Sequence, residues 1–91
     1  MIFNSLAELK QTSFTRQSGS KTTEGRAFCK FLIDQTRPVE ERYEAIIHYA
    51  ACIYQPGSKE LVALMTATHS TVVDMYTTLM RSHLHVDLSG S

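Results

Sequence analysis

"RPVEERYEAIIHYAACIYQPGSKELVALM", residues 37–65, decides the fold. Pro38 suits the first position of a helix, because the N–H it lacks is one that a helix leaves unpaired there. Glu40 and Glu41 follow in the first turn, where the helix dipole favours acids. Val39, Tyr43, Ile46, Ile47, Ala50, Ile53 and Tyr54 recur at helical spacing and make an apolar face. Gln55-Pro56-Gly57 stops that helix and turns the chain, and Ser58 is placed to cap the next one. Helices joined by so short a turn lie antiparallel, side by side. The reading is all-α, a small bundle with this hairpin at its centre.

Working towards the C-terminus, residues 58–85, "SKELVALMTATHSTVVDMYTTLMRSHLH", read as one long helix ending near residue 84. Such a helix is about 39 Å long, against a diameter of roughly 31 Å for a compact chain of this size. Leu61, Leu64, Met65, Thr68, Val72, Met75 and Leu79 make one apolar stripe. Val62, His69, Val73, Met80 and Leu84 make a second, with Tyr76 between them. Together they span roughly 200° of arc, where a helix on a monomer surface needs only somewhat more than 100°. The helix is rich in β-branched residues (Thr66, Thr68, Thr71, Val72, Val73, Thr77, Thr78), so packing has to hold it. The helix that starts at Pro38 covers one stripe, and the expectation is that a second subunit covers the other, through Val62, His69, Val73, Tyr76 and Met80. A compact monomeric four-helix bundle is the competing arrangement. Residues 85–91 are expected to fray.

Towards the N-terminus, "TTEGRAFCKFLIDQT", residues 22–36, is a second amphipathic helix. Thr22 or Thr23 caps it, Phe28, Phe31 and Leu32 lie on one side, and Arg26, Lys30 and Asp34 lie on the other. "NSLAELKQ", residues 4–11, is a short helix whose Ser5 and Glu8 have capping-box spacing. Between them, residues 12–22 form a polar loop.

That loop lies in "TSFTRQSGSKTTEGR", residues 12–26, the stretch that raises the question of a ligand. The whole chain of 91 residues, one domain by length, has zero formal net charge. Yet residues 10–33 carry Lys10, Arg16, Lys21, Arg26 and Lys30 against Glu24 alone, a local +4 balanced by −4 elsewhere. Such asymmetry attracts anions. Gly19-Ser20-Lys21-Thr22 is like the end of a phosphate-binding P-loop, but Phe14 stands where the motif needs its first glycine and no strand precedes it. A weaker anion site remains as an expectation: Arg16, Ser18, Ser20, Lys21, Thr22 and Arg26, with amides at the start of the helix, holding the phosphate of a nucleotide or of an RNA or DNA backbone. The plain alternatives are a solvated connection, or Arg26 and Lys30 meeting Glu40, Glu41 and Glu44. Phe14 either stacks on a base or plugs the core.

Other chemistry is sparse. No catalytic set is legible: there is no GxSxG and no HExxH. Cys52 and His48 adjoin at four residues' spacing but lack a third orienting group. His48 is expected to pair with Glu44. His83, His85 and Asp87 alternate as ligands on an extended strand might, but on a helix His83 and His85 diverge by about 200°, so no metal and no cofactor is expected. Cys29 and Cys52 are expected as buried free thiols, with a disulfide between them left open. No apolar run reaches a membrane span, and "MIFNSLAELK" is unlike a secretion signal, so the expectation is a cytoplasmic protein. Its expected function is that of a small non-enzymatic adaptor, inhibitor or sequestering protein, acting as a homo-oligomer or on a protein partner. The alternative is a nucleotide or nucleic-acid binder.

Overall fold

Three hydroxyl side chains set where helices begin. In the computed structural model, which describes residues 2–15 and 22–90 with side chains through residue 82, Ser5 caps α1 (Leu6–Lys10), Thr22 caps α2 (Thr23–Ile33) and Ser58 caps α4 (Lys59–Thr66). Each accepts a backbone N–H three residues on, from Glu8, Gly25 and Leu61 respectively, and so satisfies a donor the first turn leaves open. The capping box at α1 is displaced by one residue: Glu8 Oε2 accepts the N–H of Asn4, at 2.8 Å, rather than that of Ser5. Pro38 sits one position before α3 (Val39–Ile53), as its cap rather than its first residue. Gly57, at φ 78°, makes the turn into α4 with the left-handed backbone that glycine adopts without strain.

The fold is all-α, as expected, with five helices among the described residues. The single long C-terminal helix is not formed. It breaks at Ala67, whose backbone is extended, and restarts as α5 (His69–Gly90). Thr68 makes the new start: its Oγ1 lies 2.6 Å from Thr71 Oγ1, and its carbonyl accepts the N–H of Val72. Local hydroxyls offering the backbone another partner are a known reason for helices to stop at Thr and Ser. The break folds the chain back, so the molecule measures 36 × 27 × 23 Å. α5 continues to Gly90 through the stretch expected to fray.

The centre of the bundle also differs from expectation. α5 packs most extensively on α2 and α3, while α4 buries no residue fully. The core joins Phe28, Phe31, Leu32 and Cys29 of α2 to Ala45 and Ile46 of α3 and to Val72, Val73 and Met80 of α5. The N-terminal segment closes one end. Phe3 and Phe14 enter the core, with Phe14 packed against Phe28 (5.4 Å) and Tyr49 (5.2 Å). Phe14 is thus a core plug and not a stacking platform. Tyr49 lies parallel to Phe28 at 4.5 Å.

Arg37, in the α2–α3 turn, ties that closure down. Its Nη2 donates to the Phe3 carbonyl at 3.0 Å, and its guanidinium lies 4.0 Å over the Phe31 ring. Asp34 Oδ2 lies 3.6 Å from its Nε, an ion pair too long for a hydrogen bond, and Nε has no hydrogen-bond partner among the described residues. Asp34 folds the same turn by accepting the Thr36 N–H. Those Thr36 hydrogen bonds, from hydroxyl and then amide, hold the Asp34 carboxyl below its usual range.

Candidate interaction surface

α5 has two unlike faces. Inward, Val72 and Val73 are fully buried, and Met80 receives the Cys29 thiol on its Sδ at 3.2 Å. Thr77 Oγ1 donates to the Leu32 carbonyl at 3.4 Å, one of the acceptors that the end of α2 leaves open. Outward, Met75 and Leu79 are 64% and 45% exposed. They are four residues apart, hence neighbours on the helix surface, and with Asp74, Thr78 and Ser82 they line an open, shallow hollow. Single exposed apolar residues need no explanation; two adjoining ones on a helix that buries Val72, Val73 and Met80 are a candidate contact surface. Asp74 and Arg81, both exposed, lie further round the helix, away from Leu79.

This assignment reverses the sequence expectation for α5. Val73 and Met80, expected at a subunit interface, lie in the chain's own core, and Tyr76 is half-buried against it. Met75 and Leu79, expected beneath α3, are outside. The physical reason is that α2 and α3 together cover one side of α5, leaving no second stripe for a partner on that side. His69 is exposed but engaged within the chain, with Nδ1 2.7 Å from Glu40 Oε2 and its ring stacked 3.7 Å from that of Tyr43. Val62 is 47% exposed, on α4 rather than on the same helix as the others.

Of the expected anion site, Arg16, Ser18, Ser20 and Lys21 lie outside the described residues. Thr22 and Arg26 are at the start of α2 as expected, but the Gly25 N–H, one of the amides expected to face a ligand, is bonded to Thr22 Oγ1 at 3.0 Å. Arg26 and Lys30 do not meet the acidic cluster. Glu40 is taken by His69, Glu41 by Arg37 at 3.8 Å and Glu44 by Lys10 at 3.8 Å.

His48 is not the expected partner of Glu44. Its Nε2 donates to the Thr12 carbonyl at 2.8 Å and its ring stands edge-on to Phe14, so it straps the segment after α1 onto α3. Cys52 is exposed, not buried, and both cysteines are free thiols. Its Sγ is 3.8 Å from the same Nε2. A ring nitrogen that donates to a carbonyl has no lone pair left to take the thiol proton, so this pair does not make a nucleophile. Lys10, Tyr43, Glu44, Ile47, His48, Ala51 and Met65 line a further hollow of about 340 Å³ beside α3. Among the described residues no group of histidine, cysteine and acid side chains suits a metal ion, and no helix is long and apolar enough to cross a membrane.

No family model matches the chain, and neither a curated protein nor a solved structure matches it.

Proposed function

We propose that this chain is a small, non-enzymatic helical binding protein that works by associating with itself through the outer face of α5. The observation that carries the reading is the adjoining exposure of Met75 and Leu79 on a helix whose Val72, Val73 and Met80 are taken up by the chain's own core. Burying such a pair against a second apolar face is favourable at about 25 cal/mol per Å² removed from water. The engagement of His48 with Thr12 supports a binding role over thiol chemistry. Two free thiols, one of them exposed, suit a reducing and hence cytoplasmic setting.

Sedimentation velocity over a concentration series tests the proposal. The parent is expected to shift from monomer towards dimer as concentration rises, and Leu79→Glu to stay monomeric with an unchanged melting temperature, because Leu79 is not a core residue. A parent that stays monomeric at high micromolar concentration overturns the reading. Retention of a nucleotide or oligonucleotide that is lost steeply with salt favours the basic loop instead, since apolar association persists as salt rises.

A further inference from the structure

The break between α4 and α5 is made by contacts that can be undone. Thr66-Ala67-Thr68-His69 holds no glycine and no proline, the residues that most often end a helix. Alanine, at position 67, is the strongest helix former. The φ of Ala67, −77°, is one that helices use, and its ψ, 161°, is what departs from them. The apolar spacing of residues 61–79 also runs through the break without a change of phase. The chain across 67–68 therefore suits a continuous helix as well as a bend.

Two hydroxyls set the bend. In a continuous helix the Leu64 carbonyl accepts the Thr68 N–H, four residues on. Here that carbonyl accepts the Tyr43 hydroxyl at 3.2 Å. Thr68 instead starts α5, with its Oγ1 2.6 Å from Thr71 Oγ1 and its carbonyl accepting the Val72 N–H. The Tyr43 ring stacks on His69 at 3.7 Å, and Glu40 also holds His69. Tyr43 thus fastens both sides of the break, while α4 itself buries no residue fully.

We propose that α4 is an arm hinged at Ala67–Thr68 and latched on α3 by Tyr43, and that on release of the latch it swings out to continue α5 as one helix. Hinges of this kind are a few residues at the ends of elements that absorb the backbone change. Straightened, residues 59–90 run for about 48 Å, longer than the 36 Å of the bent molecule. The swing carries Met65 away from the hollow of about 340 Å³ and leaves Lys10, Tyr43, Glu44, Ile47, His48 and Ala51 as its open wall. The latch therefore governs access to that hollow. Leu61 and Leu64 go out into water with the arm, which is unfavourable. The bent state is thus the resting one and the straight state a minor population. The inference does not depend on self-association of α5.

Double electron–electron resonance between spin labels at Glu60→Cys and Ser82→Cys, both exposed sites, tests the hinge in a Cys52→Ser background that removes the exposed native thiol. On a straight helix the two positions are about 33 Å apart, and a bend at 67–68 shortens that distance. The parent is expected to show mainly the shorter one. Tyr43→Phe with Thr68→Ala deletes both hydroxyls that set the bend, and is expected to raise the ratio of straight to bent by about tenfold. Thr68→Ala alone, at an exposed site, is expected to act in the same direction with a smaller rise. Tyr43→Phe with Thr68→Pro deletes the same two hydroxyls, but proline has no N–H for the Leu64 carbonyl, and the extended backbone of Ala67 is what a residue before proline adopts. That variant is expected to show no component near 33 Å. Circular dichroism melting confirms that the variants fold. Folded release variants that keep the parent's distance overturn the proposal. So does a distribution that broadens without a component near 33 Å, because that is a frayed arm rather than a straight one. A component near 33 Å that survives Thr68→Pro overturns it as well.

Discussion

α2 and α4 are both short, capped and amphipathic, yet they are held by different forces. α2 buries Phe28, Phe31, Leu32 and Cys29, among others. α4 carries Leu61, Val62, Leu64 and Met65 and buries none of them fully. Leu64 packs only partly against the core, and polar bonds at the ends of α4 add to its hold. Ser58 caps its start, and Tyr43 Oη–H donates to the Leu64 carbonyl at 3.2 Å, near its end. The Tyr43 ring also stacks on His69, which Glu40 holds, so one patch of α3 fastens both sides of the break between α4 and α5. An apolar stripe is therefore no measure of burial. α2 lies among α3, α5 and the N-terminal aromatics, whereas α4 rests mainly against α3 on the periphery.

The contrast is tested most severely by truncation. Phe28→Ala removes a fully buried ring that packs against Phe14 and Tyr49, and is expected to cost about 3–5 kcal/mol, enough to unfold much of a small domain. Met65→Ala on α4, 60% exposed, is expected to stay within about 0.5 kcal/mol. Urea denaturation of the two variants checks the pair, and similar losses would break the distinction.

A smaller effect isolates the polar fastening of α4. Tyr43→Phe keeps the ring that stacks on His69 and deletes only the hydroxyl that reaches the Leu64 carbonyl. The expected cost is about 0.5–1.5 kcal/mol. Hydrogen exchange at amides near residues 67–68 should speed up more than at those of α2. Uniform acceleration across the chain would show that α4 is not fastened locally.

The smallest effect is with pH, and it probes the buried half. Burial pushes the Tyr49 and Tyr76 hydroxyls above their ordinary value near 10. A folded pKa above the unfolded one means stability that is fully present below about pH 10 and lost as pH rises through the folded value. Melting temperature is therefore expected to fall above that pH, and Tyr49→Phe with Tyr76→Phe to flatten the fall. At the acid end, Asp34, held low by Thr36, contributes stability above the unfolded carboxylate value and loses it as pH drops through the folded one. A thermal melt series from acid to alkali reads both arms.

Much of the local structure was legible. The hydroxyl caps at Ser5, Thr22 and Ser58 and the stop at Pro56-Gly57 involve partners within four residues, so their chemistry is written in adjacent letters. The helical break at 67–68 had such a signal too: Thr68 followed by Thr71, in a run of β-branched residues that periodicity alone carried straight through. The faces of α5 had none. Two apolar stripes side by side do not state which one other helices will cover.

The sequence by itself determined α1 to α3, the hydroxyl caps at Ser5, Thr22 and Ser58, the turn at Gly57 and the amphipathic side of α2, because each depends on spacing along one element. Tertiary structure alone decided that Val73 and Met80 go inside while Met75 and Leu79 stay out, that Arg37 reaches back to Phe3 across 34 positions, and that His48 straps Thr12 rather than pairing with Glu44. These are choices among partners distant in sequence. They follow from which surfaces the folded chain brings within a few ångströms and removes from water, and that is a property of the whole bundle rather than of any helix in it.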